Sequence, residues 1–245
     1  MIDDIDKRVL QLRAASTFEE AAHDVRMSIW NRRRELFKGN VPDHPLDLVD
    51  PAIALFSKGF SVQSDQDLGR MWDAGIHARV AGIVDQRNKV VRIAIGLDEK
   101  ERRFTTGHEL GHVVLQPNMN GLHRDRAVSG PSPRRDKIER DADAFASCFI
   151  MPARLLFRRF RECFGVDFFR LNEDAAFGLK LGNLDSARRY IRSPRELALY
   201  VATTNNFMGA YFDPLSQFFR VSPVAMAIRL EEVGLIDESS LRRSK

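Results

Sequence analysis

Two histidines set four residues apart inside a capped, largely apolar helix constrain this chain more than any other feature. The segment is His108-Glu109-Leu110-Gly111-His112. Asp98 and Glu101 form a capping box ahead of it and Pro117 follows it, so the helix is expected to run to about Leu115. At about 3.6 residues per turn the two imidazoles stand one above the other on one face. Leu110, Val113 and Val114 make the opposite face apolar, and Phe104 and Leu115 add apolar side chains beside the histidines. A helix apolar on most sides is buried, and a buried imidazole pair requires a partner. The HExxH pattern supplies one. Both imidazoles can reach a single zinc ion at about 2 Å, while Glu109, one residue round the helix, can reach a water at that ion without binding the ion itself.

A catalytic zinc takes three protein ligands and keeps one position open. The nearest downstream histidine, His123, falls in a loop rich in Gly, Ser and Pro between Pro117 and Pro133. A metzincin ligand set is excluded, because Leu115 and Asn118 stand where it has Gly and His. Glu139 is the better third ligand. It opens Glu139-Arg140-Asp141-Ala142-Asp143 on a second helix, expected over Asp136 to Met151, and shares a face there with Ala142, Asp143, Ala146 and Ile150. Gly111 on one helix and Ala142 and Ala146 on the other are small, so the helices can approach closely enough to bring the Glu139 carboxylate to the metal. Asp143, one turn on, is placed to accept the second ring N–H of one histidine and so fix its tautomer. The competing reading makes Glu139, Asp141 and Asp143 an ordinary charged helix surface.

Around this pair the pattern changes twice. The first forty residues read as helical, with a capping box at Thr17 and Glu20 and apolar residues at Phe18, Ala22, Val25 and Ile29 on one face. Pro42, Pro45 and Pro51 interrupt it, and Asp50-Pro51 starts a short helix that ends at Gly59. Strands are expected at Phe60 to Gln63, Ala78 to Asp85 and Val90 to Ile95, the last two joined through Gln86-Arg87-Asn88-Lys89 as a hairpin. After Met151-Pro152 the chain is mostly helical again, and its last helix starts at Ser222-Pro223 and closes at Gly234. The order of helices, small antiparallel sheet and helices is that of a mainly helical α+β fold. The expected organisation is an N-terminal helical extension over 1–45 and a metallopeptidase core over 46–155. A C-terminal helical region over 156–236 packs on that core, and a tail covers 237–245.

Composition narrows the partners. In this chain of 245 residues, 44% are hydrophobic, enough to bury a core, and no apolar run is long enough to span a bilayer. The 38 basic and 34 acidic residues are scattered as a solvated surface, which argues against direct nucleic-acid binding. Leu215 to Leu235 imitates a helix-turn-helix, but Val224-Ala225-Met226-Ala227-Ile228 offers few groups to read bases. Cys148 and Cys163 cannot make a disulfide framework, and the acidic start Met1-Ile2-Asp3-Asp4-Ile5-Asp6 is unlike a secretory signal. Reduced thiols and a cytoplasmic location are expected.

The residues Arg102-Arg103-Phe104-Thr105-Thr106-Gly107 ahead of the histidine motif, then Ile138-Glu139, Ala144-Phe145-Ala146 and Ile150-Met151-Pro152, closely resemble the ImmA/IrrE metallopeptidases. The tail, with Phe219-Arg220-Val221-Ser222, Ala225, Ile228-Arg229-Leu230 and Gly234-Leu235-Ile236, is similar to their C-terminal segment. The resemblance covers roughly Leu46 to Ile236, apart from about Gly165 to Gly209, where nothing matches. It implies a gluzincin-like, zincin-type core, Glu139 as third zinc ligand, and a protein substrate: a helix-turn-helix transcriptional repressor of phage, mobile-element or stress-response genes. Members often carry Asn where this chain has Asp143 and His where it has Gln116.

On this reading Glu109 assists the attack of a zinc-activated water on a peptide carbonyl and passes the proton to the leaving amine. A further donor must meet the oxyanion, and Tyr190, Tyr200, Tyr211, His123, Arg102 and Arg103 are all eligible. The alternative is a catalytically silent metal-binding sensor that holds a partner or DNA without cutting.

Overall fold

The computed structural model of the protein describes residues 3–73, 76–117, 122–126 and 137–241. The chain divides into two compact units, Gln11–Pro152 and a second formed by Met1–Leu10 with Ala153–Lys245, and helix α1 (Asp4–Ala15) runs across the division.

In the unit Gln11–Pro152, helix α2 (Thr17–Asn31) is capped by Ser16, whose extended backbone lets its hydroxyl accept the Glu19 N–H at 3.4 Å. The cap thus lies one residue ahead of the expected Thr17 and Glu20. Glu20 is drawn instead into a forked pair with Arg13 at 2.8 and 2.9 Å, which holds its carboxyl below the usual range. Ala22, Val25 and Ile29 form the buried face, as their spacing requires. Two single-turn helices follow, α3 (Arg33–Leu36) and α4 (Pro45–Leu48), then α5 (Pro51–Ser57), where the Asp50 carboxylate caps Ala52 and Ile53. Gly59, at φ +82°, turns the chain towards the sheet.

The strands are β1 (Ser61–Asp65), β2 (Arg70–Asp73), β3 (Ile76–Asp85), β4 (Val90–Ala94) and β5 (Leu122–Arg126). Strand β3 is central: β4 lies antiparallel on one side, while β2 and β5 take successive stretches of the other, both antiparallel. Strand β1 joins the free side of β4 in parallel. The sheet is therefore mixed, where an antiparallel one was expected, because the reversals from β2 into β3 and from β3 into β4 return the chain to the direction of β1. The β3–β4 hairpin turns through 86–89 as read, with Lys89 at φ 55° and the Asp85 carboxylate accepting from the Asn88 backbone at 2.9 Å. Two strands have no clear signature in the sequence. The β5 segment Leu-His-Arg-Asp-Arg lies inside the stretch expected as loop, and the open edge of β3 imposes its strand form, not its own composition. Residues 118–121 and 127–136, including the rest of that expected loop, lie outside the described residues.

Helix α6 (Glu99–Leu115) carries the histidines and has both halves of the Asp98–Glu101 capping box. It packs most extensively on α7 (Lys137–Ile150) and also meets α5, β3 and β4. The α6–α7 contact is made by small residues. A Cβ at Gly111 would stand 2.9 Å from the Ala142 carbonyl oxygen and 3.0 Å from its Cα, and one at Gly107 would stand 3.4 Å from the Ala146 Cβ. Phe145, Phe149 and Ile150 of α7 are buried, and the Arg26 guanidinium of α2 donates to the Cys148 carbonyl at 2.7 Å.

The other unit continues with α8 (Ala153–Phe164), α9 (Glu173–Gly178), α10 (Leu184–Tyr190) and α11 (Pro194–Thr203), then a two-stranded ribbon of β6 (Asn206–Phe207) and β7 (Ala210–Tyr211). Its last α-helices are α12 (Leu215–Phe218) and α13 (Pro223–Glu232), and a 3-10 turn, Glu238–Leu241, follows them. The apolar stripe of α8 buries Leu156, Phe157, Phe160 and Phe164. Ser222 caps α13 by accepting the Ala225 N–H at 3.1 Å, and Gly234, at φ +69°, closes it. Met226, Ala227, Arg229 and Leu230 of α13 are buried, and the helix packs along α11, so these residues serve a core. Neither Cys148 nor Cys163 is in a disulfide, both are buried, and burial pushes the Cys163 thiol up to about 11. Among the described residues no helix is long and apolar enough to cross a membrane.

Candidate metal centre

Helix α6 is buried on every side from Thr105 to Val113, and His108, Glu109 and His112 are at most 1% exposed. The two histidine side chains are held from behind. His108 Nδ1 lies 2.8 Å from Asp143 Oδ1, and His112 Nδ1 lies 3.0 Å from Gln116 Oε1. A carboxylate can only accept, so Nδ1 of His108 carries the proton, and the amide oxygen facing His112 gives the same tautomer there. Both Nε2 atoms then present lone pairs, and they lie 2.9 Å apart.

Glu139 closes the group. Its carboxylate oxygens lie 3.4 Å from His108 Nε2 and 3.5 Å from His112 Nε2, and the side chain is only 13% exposed. Two imidazole lone pairs and a carboxylate facing one another repel unless a cation stands among them. Tetrahedral bonds of about 2.0–2.2 Å to zinc place neighbouring donor atoms roughly 3.3–3.6 Å apart, which the two Glu139–histidine separations match, while the 2.9 Å between the Nε2 atoms is shorter. His108, His112 and Glu139 could therefore hold a metal ion, and their donor set of two nitrogens and one oxygen suits zinc.

The carboxylates of the second helix do not all face solvent, as a charged surface would have them. Arg140 is exposed, but Glu139 and Asp143 turn inward, towards His108 and His112. His123 stands in β5, paired through its backbone with Val84. Of the other residues considered as oxyanion donors, Arg103 donates to the Val49 carbonyl at 2.7 Å, and Arg102 reaches Ser64 and the Ile95 carbonyl at 3.4 Å. Tyr190, Tyr200 and Tyr211 belong to the other unit.

Two residues at the centre escaped the sequence reading. The sequence reading gives Gln116 no role, although it stands four residues after His112, one turn on along the same face. Gly82 of β3 faces Glu109: a Cβ there would lie 2.8 Å from the Glu109 Cδ and 3.0 Å from its Cγ, and closer still to Oε1. Its signal was a glycine inside the apolar run Val80-Ala81-Gly82-Ile83-Val84, which marks a bulge or a close approach.

Residues 72–165, which include β3, β4, α6 and α7, match the Peptidase_M78 family, described as the IrrE N-terminal-like domain. The chain is also 28% identical over 116 residues to the "Uncharacterized immunity region protein 2" of Bacillus phage phi105, a match covering 44% of this chain and 71% of the phage protein. The segment that carries both the histidine helix and the glutamate helix is therefore similar to the IrrE N-terminal-like domain of the Peptidase_M78 family.

Proposed function

We propose that the protein is a zinc-dependent endopeptidase that cuts a protein partner, a helix-turn-helix transcriptional repressor, inside the cytoplasm. The observation that carries this reading is the convergence of His108 Nε2, His112 Nε2 and the Glu139 carboxylate at one buried point, with both Nδ1 atoms engaged elsewhere.

In this reading His108, His112 and Glu139 are the metal ligands, Asp143 and Gln116 orient the two imidazoles, and Glu109 is the general base. Zinc held there supplies Lewis acidity, lowering the pKa of a coordinated water to about 7 and polarising the scissile carbonyl. Glu109 follows His108 on the same turn of α6, so its carboxylate accompanies the ligand pair without being one of the three. Completely buried, it takes the proton from the attacking water where few competing waters reach it, then returns that proton to the amine that leaves. The repressor as substrate is supported by the ImmA/IrrE resemblance and by similarity to an immunity region protein of a phage.

The test is a capture with Glu109→Gln, which keeps the three ligands and nearly the same side-chain volume while removing the base. The variant should retain metal and hold its partner uncut. Wild-type protein should cut that partner at a defined bond, and a chelator should stop it. A partner that binds stably but is left whole by metal-loaded wild-type protein would replace the peptidase with a metal-binding sensor.

A further inference from the structure

We propose that Gly82 of β3 is a positioning residue for Glu109: the strand lacks a side chain there so that the carboxylate can lie against its backbone at a fixed place. The inference rests on the reading of Glu109 as general base. Gly82 is not needed for backbone freedom, since it is absent from the glycines with positive φ. Val80, Ala81, Ile83 and Val84 around it are all buried, so an apolar side chain would be the ordinary choice at this point of the strand. What forbids one is Glu109, whose Cδ would stand 2.8 Å from an added Cβ, far inside the separation of about 3.5–4.0 Å at which carbon atoms rest.

Neither wall can retreat. Gly82 pairs with Ile93 of β4 on one side and Asp125 of β5 on the other, and the pairing with β5 shifts register between Val80 and Gly82. Such irregularities re-aim a strand next to a site. On the opposite side α6 is locked against α7 by Gly111 over Ala142. The Glu109 side chain, with no exposed surface, has no solvent to swing into. A methyl at position 82 must therefore move the carboxylate itself by about 1 Å or more, and a misplacement of that size in a catalytic group costs on the order of a hundredfold in rate.

The decisive experiment is a double-mutant cycle in metal-free protein, read by urea unfolding, because it requires neither a substrate nor the peptidase activity. Gly82→Ala should lower the unfolding midpoint when Glu109 is present and should cost much less, or nothing, in Glu109→Ala. If Gly82→Ala fails to fold alone, the double variant should fold. Equal costs in both backgrounds, or a double variant that also fails to fold, would overturn the proposal. On the partner captured with Glu109→Gln, Gly82→Ala should lower kcat about a hundredfold with KM and bound zinc changed less than about twofold. The loss should shrink when the substitution is added to Glu109→Asp, whose carboxylate is one methylene shorter. A Gly82→Ala protein with wild-type kcat would overturn the positioning role even if the unfolding cycle shows coupling. A partner that no variant cuts would defeat the peptidase reading while the unfolding cycle still decides whether Gly82 sets the place of Glu109.

Discussion

Helices α6 and α7 meet where side chains are missing, whereas the unit containing α8 closes around rings. In the first contact Gly107 and Gly111 face Ala146 and Ala142, with the Ile150 side chain also beside Gly107, and at Gly111 the facing atoms are the Ala142 backbone and Cβ, which cannot rotate out of the way. In the second, Phe164 meets Phe160, Phe169, Phe207 and Phe212 at centroid separations of 4.9 to 5.5 Å, mostly edge to face. A backbone-to-backbone contact fixes an interhelical distance to a fraction of an ångström, while a ring cluster can repack when one member changes. The point at which two helices bring His108, His112 and Glu139 together is built on the first kind of contact, and a core that requires only stability on the second.

The comparison breaks most readily at Gly111. Gly111→Val places a branched side chain where even a Cβ would be within 3.0 Å of the Ala142 Cα, so α6 and α7 must separate and Glu139 must leave the histidines. The variant should lose most of its zinc, by elemental analysis, and about 1–3 kcal/mol or more of stability from overpacking. Wild-type zinc affinity in this variant would show that the contact is not what places the ligands.

Phe164→Ala tests the other half. It should cost about 3–5 kcal/mol in urea unfolding of its own unit, while zinc content under native conditions stays at the wild-type level. Loss of zinc together with that stability would mean that the two kinds of contact do not serve separate ends.

Gln116→Ala sharpens the comparison within the centre itself. Removing the acceptor for His112 Nδ1 should weaken zinc binding about 10–100-fold in a chelator competition, because the ring loses its fixed tautomer and orientation. An unchanged affinity would show that burial alone holds His112 in place.

These differences also explain what could be read from the chain. The helices α6, α7 and α13 were legible because caps, periodicity and stop signals lie within a few residues of one another, as at Asp98–Glu101 and Ser222–Gly234. The meeting of Glu139 with the histidines was legible because small residues recur at helical spacing on both partners. Strand β5 was not, since Leu122 to Arg126 acquire their form from the edge of β3, nearly forty residues earlier in the chain. The cap at Ser16 was missed because Thr17 and Glu20 offer an equally good local pattern, and Arg13 decides between them by taking Glu20. The aromatic cluster draws on positions from 160 to 212, and no local period links them.

The most direct test of the central claim is the zinc content of purified protein, measured in parallel for the wild type and single variants. The wild type should carry about one equivalent, as a site with three protein ligands does. His108→Ala, His112→Ala and Glu139→Ala should each lose it, while Glu109→Gln and His123→Ala keep it. Protein that carries far less than one equivalent even after refolding with zinc, or a Glu139→Ala variant that keeps the metal while His123→Ala loses it, would contradict the site described here.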